Sequence, residues 1–124
     1  MSYEHKVFVM EVARGNHPDG TPYAFAQKVA VYDLCSLGNM CSESFKAIFT
    51  KETDYAIFAE NGDEDTTTDC YGDRLMSASL GTVIEWLEEE CAVSDYRRLR
   101  PLLGLLQGFD ESQWYGIEIV RYGH

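Results

Sequence analysis

Two long runs with strand periodicity, one on each side of a turn signal, constrain this chain more than any other feature in it. His5 to Ala13 (HKVFVMEVA) is rich in β-branched and aromatic residues, with Phe8, Met10 and Val12 recurring on one face. Gly15-Asn16-His17-Pro18-Asp19-Gly20 then supplies turn chemistry. Proline presets φ, and Asp-Gly suits a position with positive φ. Tyr23 to Asp33 alternates again, with Tyr23, Phe25, Val29 and Val31 on one side. The two runs predict a long antiparallel hairpin.

Phe45 to Thr50 and Asp54 to Glu60, around the polar Lys51-Glu52-Thr53, predict a second hairpin. Phe45, Ile48 and Phe49 also fit helical spacing across Ser42 to Phe49, but the β-rich partner segment favours strand. Asn61 to Asp73 is polar and aperiodic, hence a loop. From Ser79 the period changes: Leu80, Val83, Ile84, Leu87 and Cys91 follow one helix face, with Ser79 as N-cap. A second helix starts near Ser94-Asp95, carries Leu99, Leu102, Leu103 and Leu106, and stops at Gly108. Pro101 either kinks it or sits in the first turn of a new helix. Trp114 to Tyr122 alternates as a final strand. The expected architecture is α+β: a mostly antiparallel sheet of about five strands, made of two hairpins and a C-terminal strand, with two helices on one face. No linker or repeat divides the chain, so residues 1–124 read as one domain. A content of 45% hydrophobic and 13% aromatic residues can build its core.

Charge is distributed unevenly over this frame. Residues 52 to 90 hold twelve acids (Glu52, Asp54, Glu60, Asp63, Glu64, Asp65, Asp69, Asp73, Glu85, Glu88, Glu89 and Glu90) against one base, Arg74, which accounts for the whole net charge of −11. A concentrated charge suggests a surface built to meet something positive. Glu85 and Glu89 are like charges at i, i+4, which destabilises a helix slightly. Glu88-Glu89-Glu90 lies in the C-terminal half of its helix, where the dipole favours cations. Such placement suggests selection for contact rather than for stability. Trp86 lies off the apolar stripe, so it is either a hot spot exposed among these acids or part of the packing against the sheet.

Chemistry of other kinds is sparse. The three histidines, His5, His17 and His124, fall in no G-x-S-x-G, H-E-x-x-H or related pattern, and no phosphate-binding glycine loop occurs. The expectation is a protein that is not an enzyme and needs no cofactor. A dispersed site pairing Cys70 or Cys91 with a histidine is the remaining enzymatic reading. Asp63-Glu64-Asp65 with Asp69 resembles a hard-cation loop but lacks the EF-hand's glycine and terminal glutamate, so no metal site is expected. The four cysteines, Cys35, Cys41, Cys70 and Cys91, match no zinc spacing and read as reduced thiols, although Cys35 and Cys41 could meet across their loop. Arg97, Arg98 and Arg100 form the sole basic patch, read as partners for acids of the neighbouring helix or as solvated charge. The chain start shows no secretory signal and no run spans a bilayer, which predicts a cytoplasmic protein. An acidic surface is repelled by anionic lipid and by bare nucleic acid, so neither is an expected partner.

In size and charge the chain resembles the small phage and plasmid inhibitors of host defence, including DNA-mimicking antirestriction proteins and several anti-CRISPR proteins. No motif is shared, so no functional residue carries over. The expected function is a protein-binding inhibitor whose clustered carboxylates stand in for phosphates on a basic nucleic-acid-binding protein or complex. Glu60, Asp63, Glu64, Asp65, Asp69, Asp73, Glu85, Trp86 and Glu89 are its candidate contacts. Twelve carboxylates gathered together would match roughly 20 Å of duplex, about six base pairs. That reading requires them to form one continuous outward surface. The alternative is a non-catalytic adaptor or assembly protein that binds through Tyr71, Trp86, Trp114 or Tyr122, with the acids serving solubility.

Overall fold

A computed structural model describes residues 5–34, 39–58, 65–69, 71–93, 99–109 and 116–123. The predicted first hairpin is present as β1 (His5–Asn16) and β2 (Pro22–Leu34), antiparallel with Asn16 opposite Pro22 and His5 opposite Leu34. His17 N–H donates to the Thr21 carbonyl and Gly20 N–H to the His17 carbonyl, both at 2.8 Å. Gly20 takes φ of 88°, the left-handed position that the Asp-Gly pair anticipates. The strands slip register between Val9 and Met10, which leaves Val29 as an extra residue in β2. This bulge overturns the expectation that Tyr23, Phe25, Val29 and Val31 share a face. Val31 packs on the same side as Ala24 and Ala26, opposite Phe25.

The C-terminal strand, β7 (Gly116–Gly123), inserts on the other side of β1, so the sheet runs β2-β1-β7-β6-β3, antiparallel throughout. β6 (Met76–Ser79) and the two-residue β3 (Lys51–Glu52) complete it. A separate two-stranded ribbon pairs β4 (Ile57–Phe58) with β5 (Asp65–Thr66). The architecture is α+β; the described residues hold a five-stranded sheet and three helices, one more helix than expected. The second hairpin is not formed as predicted. Phe45 to Ala47 belongs to α1 (Asn39–Ala47), β3 pairs with β6, and β4 pairs with β5. Helical spacing wins at Phe45; the helix ends at Ala47, and Phe45 and Phe49 are both buried in one cluster with α2 (Leu80–Val93) and the sheet. The Phe45 ring lies 4.9 Å from that of Trp86.

Side-chain alternation along β1 explains the layering. Val7 and Val9 face α1, α2 and α3 (Leu99–Gln107), together with Ile117 and Ile119 of β7. Phe8, Met10 and Val12 face the other way, under Tyr55, Ile57 and Leu75, with Val120 and Tyr122 beside them. The central strand is covered on both faces, which is why His5 to Met10 is buried without interruption. The three helices of the described residues occupy one face, and Tyr55, Ile57 and Leu75 pack on the other. Pro101 is the third residue of α3, in the first turn, where its missing N–H costs nothing.

Candidate functional site

The sheet divides the acidic window in two. Tyr55, Ile57 and Leu75 anchor its first part on the face of Phe8 and Val120, whereas Val83, Trp86 and Leu87 anchor α2 on the face of Val7 and Ile119. Among the described residues, the acids that flank these anchors, such as Asp54 and Asp73, therefore lie across the sheet from those of α2. The described acids do not form the one continuous carboxylate surface that was expected. Consecutive β1 residues point to opposite faces, and the chain crosses from one face to the other through β6.

Much of the first part works internally. Asp54 receives two hydrogen bonds from Arg14, from Nε at 3.0 Å and Nη2 at 2.7 Å. The third arm of Arg14, Nη1, reaches Glu118 at 2.6 Å, and the Tyr55 hydroxyl donates to the same carboxylate at 3.0 Å. The hydrogen bonds from Arg14 hold the Asp54 carboxyl below its ordinary pKa of 3.8, and the two carboxylates raise that of Arg14. Burial, then the Glu118 charge, pushes the Tyr55 hydroxyl up. Asp69 is 7% exposed and caps a turn: its Oδ1 accepts from Tyr71 N–H at 2.9 Å and Asp73 N–H at 3.0 Å. Asp69 N–H donates to the Asp73 carbonyl at 2.8 Å, and Gly72 follows at φ of 85°. Asp69 is thus a turn residue rather than a surface charge, while Asp73 is exposed. Asp65 begins β5, and Glu60, Asp63 and Glu64 lie outside the described residues.

The α2 part differs. Ser79 caps the helix as predicted, its Oγ accepting from Thr82 N–H at 3.2 Å. Glu85, Glu88 and Glu89 are exposed, and none makes an ion pair with a described residue. The half-buried Glu90 approaches the Cys41 thiol, with 3.9 Å between Sγ and Oε2. Burial and that carboxylate push the thiol up to about 11. A shallow cleft of about 180 Å³ between α1 and α2 is lined by Ile48, Thr82, Glu85, Trp86 and Glu89.

Trp86 is not an exposed hot spot. It is 7% exposed, packed against the tilted ring of Phe45, and its Nε1–H donates to Ser44 Oγ at 2.9 Å. The apolar stripe of α2 is wider than its sequence suggests, because α1 covers the Trp86 flank. Of the other aromatic candidates, Tyr122 is also buried, Tyr71 is exposed and Trp114 lies outside the described residues. The exposed aromatics that function-directed reading missed are Tyr23 and Phe25, at 45% and 64%. The signal that could have found them is the Pro22-to-Gln27 run at a hairpin end, beyond the reach of any helix.

Arg100 Nη2 donates to the Cys91 carbonyl at 3.2 Å, near the C-terminal end of α2. A cation there offsets the dipole that the glutamates oppose. Arg97 and Arg98 lie outside the described residues. Cys41 and Cys91 are free thiols, while Cys35 and Cys70 also lie outside.

One buried cluster resembles a catalytic pair in composition. His5 Nε2 lies 2.6 Å from Ser42 Oγ, and His5 Nδ1 lies 3.2 Å from Arg121 Nη1. A guanidinium only donates, so Nδ1 accepts and the ring proton sits on Nε2, pointing at the serine. Among the described residues no group of three or more His, Cys, Asp or Glu could hold a metal ion, and no helix is long and apolar enough to cross a membrane.

No family model, curated protein or solved structure matches this chain.

Proposed function

We propose that the chain is a small acidic protein-binding inhibitor that acts without catalysis. It presses the exposed row of α2 onto a basic nucleic-acid-binding surface, such as that of a host-defence nuclease or a CRISPR surveillance complex. The supporting observation is the exposed trio Glu85, Glu88 and Glu89, which makes no ion pair with a described residue, on a helix that carries no base. Three glutamates there weaken the helix slightly, so contact with a cationic partner gives them a purpose that stability does not.

The split window narrows the mechanism. Glu85 to Glu89 covers about 6 Å of helix axis at 1.5 Å per residue. That length corresponds to roughly four phosphate charges of a duplex at 1.7 Å each. The row therefore stands in for one phosphate cluster, and inhibition works by blocking one basic spot rather than by filling a duplex channel. Cytosolic action follows from such a target. The adaptor reading loses two of its aromatic candidates, since Trp86 and Tyr122 are core residues.

The test is capture of a basic nucleic-acid-handling protein from host lysate, comparing wild type with the Glu85→Lys, Glu88→Lys, Glu89→Lys triple variant at low and high salt. The proposal expects capture at low salt, loss at high salt and loss in the variant, because charge contacts are screened over about 8 Å at physiological ionic strength. Capture indifferent to both salt and charge reversal overturns it.

A further inference from the structure

The geometry points to a second binding surface, independent of the acidic row: two copies of this chain join antiparallel along the outer edges of β2, about a two-fold axis at Phe25. β2 ends the sheet order, and no described residue pairs with its outer side. An open edge presents unpaired N–H and C=O groups that fit another extended strand.

The edge can be paired only within a bounded window. Pro22 has no N–H to offer, and at Val29 the bulge bends the strand. Phe25 sits midway between Pro22 and Lys28, the last residue before the bulge. A window symmetric about one residue suits a second copy, because a two-fold axis there treats both borders alike.

Hydrogen bonding fits the same axis. The His17-to-Thr21 bond starts a ladder in which bonded and non-bonded pairs alternate, so Tyr23 and Phe25 bond inward to β1. Ala24 and Ala26 consequently point their backbone groups outward. With Phe25 opposite its symmetry mate, each Ala24 faces the partner's Ala26, and both exchange N–H and C=O bonds. Phe25 then falls in a non-bonded pair, where side chains approach most closely.

Side chains and charge agree. Phe25 and Tyr23 are exposed on the helix side of the sheet, and pairing lays the two Phe25 rings together with Tyr23 beside them. Ala24 and Ala26 point the other way and leave room for the approach. β2 carries one base, Lys28, and one acid, Asp33, so this edge is neutral. A molecule of net charge −11 meets its own copy with least repulsion along such an edge. The opposite edge, β3, has two residues and offers no comparable length.

Sedimentation velocity of the full chain over a concentration series tests this. Wild type should show a concentration-dependent dimer. Phe25→Lys removes the central contact, and Ala26→Pro removes an outward N–H without touching the β1 pairing. Each should raise the dimer dissociation constant about tenfold or more while far-UV circular dichroism stays unchanged. The triple lysine variant of α2 should dimerise as wild type does, which keeps this test apart from that of the acidic row. A monomer at all concentrations overturns the inference. So does a dimer that survives both edge variants, or Phe25 serving only to capture a foreign partner.

Discussion

Arg14 holds Asp54 through two parallel hydrogen bonds of 3.0 and 2.7 Å across 40 residues of chain, while its remaining arm holds Glu118. This three-way clasp pins the start of the acidic segment to the sheet, over Met10 and Val12. It turns one acid of the charged window into a structural group.

Asp54→Asn keeps the shape but loses the charge. Both partners are partly exposed, so the expected loss is about 0.5–1 kcal/mol at neutral pH, measured by urea unfolding. The Asp54 pKa is lowered on folding, so its stabilisation is present above its unfolded value of 3.8 and is lost as pH falls through the folded value. The variant should therefore lose less stability than wild type when acidified. Equal acid sensitivity in the two proteins would count against the clasp.

Trp86 is a core residue with a hydrogen-bonded indole. Trp86→Ala should cost about 3–5 kcal/mol, and Ser44→Ala about 1 kcal/mol by leaving the indole N–H unpaired. Denaturant melts read both. An unchanged midpoint in Trp86→Ala would contradict the packing against Phe45.

Reversing the exposed glutamates should not harm the fold. Glu85→Lys and Glu89→Lys remove an i, i+4 repulsion, and the second also places a cation nearer the helix C-terminus. Stability should hold or rise by about 0.3–0.5 kcal/mol in thermal melts. A loss above about 1 kcal/mol would mean that these side chains carry structural contacts.

Asp69 makes the opposite case. Asp69→Ala strips the acceptor from two backbone N–H groups of the turn that the buried Asp69 anchors, and should cost about 1–2 kcal/mol. Asp69→Asn keeps an acceptor oxygen and should recover most of it. Chemical denaturation of the pair separates a capping role from a charge role, since both variants lose the charge.

The first hairpin, the Ser79 cap, the stripes of α2 and α3 and the final strand were all legible in the sequence. Each depends on neighbours within a few residues: turn chemistry at Asp19-Gly20, alternation along β1, and 3.6-residue spacing from Leu80 to Cys91. The concentration of charge in residues 52 to 90 was equally plain. Its arrangement was not, because a list of acids does not say which face of a sheet each one reaches.

Tertiary structure decided the rest. Phe45, Ile48 and Phe49 fit both a strand and a helix; Phe45, buried against Trp86, is helical, while Ile48 and Phe49 follow the end of α1. The bulge at Val29 sent Val31 to the face opposite Phe25. The two faces of the sheet separate the described acids next to Tyr55 and Leu75 from those of α2. Local sequence sets period, turns and caps through short-range sterics and hydrogen bonds. Which faces meet, and so which charges stand together, follows from long-range packing that buries both sides of β1.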